Sequence, residues 1–171
     1  MLRQSDYIIL FVVSVLLQLL VFNNIQVSGL VSIYVYMFFI IVLPVSVRPW
    51  ALLLLATLLG VTVDFFSGTA GLSTMSTLFM AFMRPSVIRL TSVANNINAD
   101  SAPVSGRVGN YKFIRYALAM VALHNIAYFM LEALSVVHWP LTLFKTAIGT
   151  VLSVTVIYFC QLPLVRQKDR F

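Results

Sequence analysis

The chain has 171 residues, 61% of them hydrophobic and 9% charged, with a net charge of +6 and a mean hydropathy of +0.99. Soluble domains average about 25% charged residues, so this composition specifies an all-α integral membrane protein and excludes an extramembrane domain of useful size. The single cysteine, Cys160, lies inside an apolar run and excludes a disulfide within one chain.

Apolar runs predict six short transmembrane helices in one domain, residues 1–171, over Tyr7–Phe22, Leu30–Val45, Trp50–Phe66, Leu72–Met83, Phe113–Leu131 and Leu141–Leu164. The first run is long for a signal peptide and no small-x-small cleavage site follows it, so it reads as a retained helix. The runs are continuous rather than alternating, which argues against barrel strands. Several fall short of 20 residues and require tilt, local thinning or extension into their flanks.

Basic residues set the expected topology. Arg3, Arg48, Arg84, Arg89, Arg107, Lys112, Arg115, Arg166, Lys168 and Arg170 fall on one side of the six predicted spans, and only Lys145 falls near the other. The positive-inside rule then places both termini and the long connection, residues 84–112, in the cytoplasm. Trp50 and Trp139 suit interfacial anchoring at opposite boundaries. The positive charge reads as topology and affinity for anionic lipid headgroups, with no nucleic-acid-binding motif around it.

Within the spans the ionisable candidates are Asp64, His124, Glu132 and Lys145, accompanied by Gln18 and Asn125. Asp64 opens the block "DFFSGTAGLST". Three roles are open to it: a cap or turn carboxylate accepting backbone N–H bonds from the "SGTAG" segment, an ion pair with Lys145 at similar depth, or a ligand or ion contact. His124 reads as a hydrogen-bonded bundle histidine and Glu132 as a solvated boundary residue. Gly60, Asp64 and Gly68 share one face if the helix persists that far, and small residues let backbones approach closely in lipid. Ser67, Gly68, Thr69, Ala70 and Gly71 then form a tight outer turn between spans 3 and 4. In the connection, "RPSVIRLTSVANNI" suggests an amphipathic turn or two at the membrane surface, with Arg84 and Arg89 offered to a partner, and "NADSAPVSGRVGN" reads as a flexible loop. No metal-binding, phosphate-cradling or nucleophile–base pattern is present. A non-enzyme without cofactor or metal is expected.

The pattern G-x-x-x-D-x-x-S-G-x-x-G on Gly60, Asp64, Ser67, Gly68 and Gly71 resembles the MreD family of rod shape-determining proteins. The likeness extends to chain length, to "LLQLLVFNNI" with Gln18, and to the basic tail; the wording is similar to members from the Bacteroidetes lineage. The resemblance implies a subunit of the bacterial cell-elongation machinery in the inner membrane, with a fold like the six-helix S-components of energy-coupling-factor transporters. It implies the bitopic scaffold MreC as closest partner, with MreB and the peptidoglycan synthase pair of RodA and a class B penicillin-binding protein reached directly or indirectly. On that reading Asp64 and its glycines shape the hairpin of helices 3 and 4. A vitamin-transporter S-component is the alternative; those proteins usually carry an A-x-x-x-A face in span 1, where this chain has only Ser14. A membrane-bound hydrolase is a third reading without a supporting constellation.

Overall fold

The computed structural model describes residues 4–24, 33–93, 98, 100–133 and 139–166. Among these the regular secondary structure is all helical, without strands. The elements are α1 (Gln4–Leu20), a short 3-10 turn (Phe22–Asn24), α2 (Phe38–Val42), α3 (Pro49–Ser67), α4 (Leu72–Leu90), α5 (Ser105–Val108), α6 (Asn110–Ala133) and α7 (Trp139–Arg166).

Among the described residues three helices are long and apolar enough to cross a membrane: Pro49–Ser67, Asn110–Glu132 and Thr146–Val165. The Asp6–Leu20 stretch of α1 is apolar but shorter. Helix α4 matches α3 in length, 19 residues each, but its serines, threonines and arginines lower its hydropathy. Leu54, Leu58, Val61 and Phe65 of α3 recur at helical spacing and are all more than half exposed, as are Met75 and Phe82 of α4. A contiguous apolar surface of this kind marks a membrane or protein contact. Helix α3 packs on α4, α4 on α6 and α6 on α7, while α1 rests on α2 and α3.

The expected second span is where sequence and structure part. Instead of a continuous helix through Leu30–Val45, residues 33–35 are non-helical, residues 36–37 turn, and α2 is only 5 residues long. Every residue from Tyr34 to Leu43 is buried. Non-helical backbone at membrane depth is tolerated only where protein satisfies its polar groups, and here side chains from neighbouring helices do so. The Gln18 side chain of α1 donates through Nε2 to the Ile33 carbonyl at 3.1 Å and accepts from the Val35 amide at 2.7 Å. Ser153 of α7 accepts from the Tyr34 amide at 3.0 Å.

The other end of this segment is held by Arg84, which is 2% exposed. Its Nε donates to the Tyr116 hydroxyl at 2.9 Å, Nη1 to the Pro44 carbonyl at 3.4 Å, and Nη2 to the Leu43 carbonyl. Tyr116 in turn donates to the Ile41 carbonyl at 3.2 Å. A cation at the C-terminal end of α2 also suits the carbonyl end of the helix dipole. Arg84 is therefore an internal strut, correcting its assignment to a partner-facing surface.

The connection also begins later than expected, and its described parts pack on the bundle. Helix α4 continues past Met83 to Leu90 through Pro85, so the loop begins near residue 91 rather than 84. Val87, Ile88 and Val93 are buried in the bundle rather than lying on a membrane surface, while Arg89 is exposed. Ala102, Val104, Ser105 and Val108 are buried too. The Ser105 amide donates to Gln161 Oε1 at 2.9 Å, fastening α5 to α7 in place of a free loop.

Candidate functional site

The hairpin of α3 and α4 is built around one carboxylate. Helix α3 ends at Ser67 because Gly68 takes a left-handed conformation, φ 67°, and its amide closes on the Asp64 carbonyl. Gly68 is thus a cap and leaves the helical face it was expected to share with Gly60 and Asp64. Gly71 is also left-handed, φ 83°, and occupies the N-cap position of α4. With no side chain, it cannot satisfy the first amides of that helix.

Asp64 does so from the preceding helix. Its Oδ1 accepts from the Ser73 amide at 2.9 Å and from the Thr69 hydroxyl. Its Oδ2 accepts from the Thr74 amide at 2.8 Å and from the Thr74 hydroxyl. The expected cap role holds, but the capped amides are Ser73 and Thr74; Thr69 contributes a hydroxyl from within the turn.

Gly60, one helical turn before Asp64, permits this reach. A Cβ at Gly60 would lie 2.4 Å from Thr74 Cα and 2.9 Å from Thr74 N, a distance no real Cβ tolerates. The two backbones touch there. Gly60→Ala must push α4 away from α3 and lengthen the Asp64 bonds. It is expected to lower stability by about 1–3 kcal/mol, read as a lower Tm in mild detergent, whereas Ala70→Gly in the exposed turn should change Tm much less.

Ser67 ties this hairpin to the first helix: Asn23 Nδ2 donates to its Oγ at 2.7 Å, and Gln18 Nε2 donates to Asn23 Oδ1 at 3.1 Å. Below Asp64 a polar chain crosses the bundle. Thr77 Oγ1 lies 3.5 Å from the Tyr36 hydroxyl, which is 2.6 Å from His124 Nε2. His124 Nδ1 is 3.3 Å from Asn125 Oδ1, and Asn125 Nδ2 donates to Thr150 at 3.1 Å. His124 is fully buried, with Tyr34 and Tyr128 against its ring at centroid distances of 5.4 and 6.1 Å. It is the hydrogen-bonded bundle histidine expected, linking α4, the buried segment, α6 and α7.

Glu132 is exposed, as expected. Lys145 lies on α7, but its side chain is outside the described residues, as are those of Trp139 and Arg166. Among the described residues no cluster of three or more His, Cys, Asp or Glu side chains is placed to hold a metal ion.

A cavity of about 620 Å³ opens beside the hairpin. Gln18, Asn23, Ser67, Thr69 and Ser73 supply polar lining, and Tyr34 and Tyr128 supply aromatic lining. Sequence reasoning missed the roles of Tyr36, Tyr116, Ser153 and Thr74, because each is unremarkable alone and matters through a single partner. Comparison of the chain with protein-family models, with curated proteins and with solved structures gives no match.

Proposed function

We propose that the chain is a non-enzymatic, multi-pass subunit of the bacterial inner membrane that works by contact, as MreD-like proteins do. In this reading it binds an MreC-like bitopic scaffold and helps control peptidoglycan synthesis and cell shape, with MreB and the synthases as further direct or indirect partners. Both termini lie in the cytoplasm, with the 91–109 connection, and Arg89, Arg107, Lys112 and Arg115 flank the membrane on that side. The observation that supports the proposal is how the block that resembles that family's pattern is used. Asp64 caps α4, Gly60 admits the Thr74 backbone, Gly68 and Gly71 turn the chain, and Ser67 ties in α1. Each signature residue builds a hairpin of defined shape, which is what a contact surface requires. Arg89, exposed at the end of α4, remains in the proposal as a partner contact.

The cavity beside the hairpin favours a second reading, a substrate-binding S-component, since small-molecule sites are concave and combine apolar lining with a few polar groups. Affinity purification of the full chain from native membranes in mild detergent separates the two. Co-purification of a coiled-coil bitopic scaffold with cell-wall synthases is the expected result. An ATP-hydrolysing transport module, or a vitamin-like molecule bound at one per chain, overturns it in favour of the transporter subunit.

A further inference from the structure

The cavity beside the α3–α4 hairpin is lined by hydrogen-bonding groups that the protein does not use up. Gln18, 2% exposed, holds the Asn23 amide in one orientation: its Nε2 donates to Asn23 Oδ1, while Asn23 Nδ2 donates to Ser67 Oγ. An amide nitrogen carries two N–H donors and a hydroxyl carries one O–H. The second N–H of Asn23 and the proton of Ser67 therefore have no acceptor among the described residues. Thr69 gives its proton to Asp64 Oδ1 and keeps lone pairs with which to accept. These three side chains line the cavity where the 3-10 turn after α1 meets the end of α3.

The chemistry of the lining selects an occupant. No Asp, Glu, Lys, Arg or His is among the described lining residues. Asp64 lies behind Thr69 and Ser73 with each carboxylate oxygen already accepting from two donors. Nothing there neutralises a charged ligand, and burying an unpaired charge is costly. Tyr34 and Tyr128 line the cavity as well, their ring centroids 4.7 Å apart and their planes inclined at 45°. Two rings in contact at that angle form a corner rather than a slot. A flat aromatic ligand can lie on only one of them, whereas the C–H bonds of a saturated ring project toward both. Hydroxyl groups donate and accept alike, which suits a wall that mixes spare donors with a spare acceptor.

We propose that this cavity is a binding site for an uncharged sugar ring, its C–H face on Tyr34 and Tyr128 and its hydroxyls on Asn23, Ser67 and Thr69. A free saccharide and the headgroup of a neutral glycolipid both present this chemistry. The site stands on the geometry of the hairpin and goes beyond the contact reading. Binding needs neither a protein partner nor a transport module, so its test is independent of the co-purification result.

The experiment uses the full chain alone, purified without glycoside detergents and placed in phosphatidylcholine nanodiscs. The probe is methyl β-glucopyranoside, followed by saturation-transfer NMR. Saturation is expected on the ring C–H protons, and about fivefold less on glucuronate and glucosamine, which carry a charge. Leu20→Trp, at a lining position that is 68% exposed, fills the mouth and should abolish the signal. Ser67→Ala should weaken glucoside affinity about fivefold, the worth of one hydrogen bond. Leu54→Ala on the outer face of α3 should change nothing, and the Tm of each variant shows that it is folded. Monoglucosyl diacylglycerol added to the nanodisc separates the sources: displacement of the glucoside assigns a lipid-borne ring, persistence a free one, and both support the site. Absence of a glucoside signal, or a signal that survives Leu20→Trp, would overturn the site. Equal signals from the charged sugars, or a stronger one from caffeine that Leu20→Trp removes, would overturn the assignment to a neutral sugar.

Discussion

Arg84→Ala is expected to lower the stability of the isolated chain by about 3–5 kcal/mol. Truncation leaves the Leu43 carbonyl without its donor, takes one of two donors from the Pro44 carbonyl, which keeps the Val47 amide, and takes the Nε donor from the Tyr116 hydroxyl; an orphaned buried polar group costs about 1–3 kcal/mol. A cavity is added where one of the largest fully buried side chains stood. Arg84→Met separates the two effects, because it fills most of the volume without supplying a donor. It should recover part of the loss and no more. Arg84→Lys keeps a cation but cannot fork toward two carbonyls and a hydroxyl at once, so it should also fall between wild type and alanine. The measurement is thermal unfolding of each variant in the same mild detergent. If Arg84 were instead a docking residue, the alanine variant would unfold at the wild-type temperature while losing its co-purifying partners.

The Arg84 result also shows what the sequence could convey. The positive-inside rule counts every arginine near a span end as a surface charge, and Arg84 lies where such a charge belongs. Its burial depends on three acceptors that come from distant parts of the chain, and local pattern carries no trace of them. The second apolar run misled for a related reason: a fully buried segment is apolar on all sides whether helical or extended. A signal was nonetheless present in "IYV", residues 33–35, whose β-branched and aromatic residues are better suited to non-helical backbone. A polar residue inside each neighbouring span, Gln18 and Ser153, was the other half of that signal.

The hairpin was more legible. Gly60, Asp64, Gly68 and Gly71 are close in sequence, and their roles follow from local rules about caps and left-handed turns. What the local rules did not give was the identity of the capped amides. Those are set by how near α4 approaches α3, which depends on Gly60 facing the Thr74 backbone. The connection was misread because small residues such as those around Ala102, Ser105 and Gly106 serve equally as flexible linker or as close-packed segment. Contact with Gln161 and Val165 of α7 decides for the second.

Asp64→Ala should cost about 2–4 kcal/mol, since it removes the acceptor of two backbone amides and two hydroxyls at the start of α4. A missing N-cap alone costs about 0.5–2 kcal/mol, and a hydrogen bond to a charged group contributes about 1.5–3; loss of the buried charge offsets part of the sum. Asp64→Asn is the more informative variant. Each carboxylate oxygen serves one backbone amide and one hydroxyl. Placing NH₂ on either side turns one backbone amide from partnered to opposed, while the hydroxyl there can rotate to accept. Asparagine should therefore lose about half of what alanine loses, roughly 1–2 kcal/mol. The cap also predicts that Lys145→Met leaves both variants as they are. An ion pair predicts that this second change restores them, because it removes the unpaired ammonium. Measuring Tm for the single and double variants decides between a hairpin held by its own backbone amides and one held by a charge on α7. A cycle with Thr74→Val tests the same point from the other side. It keeps the Thr74 amide, so coupling to Asp64→Ala should be confined to the lost hydroxyl, about 1 kcal/mol, and a larger value would mean that α4 shifts as a body when the hydroxyl goes.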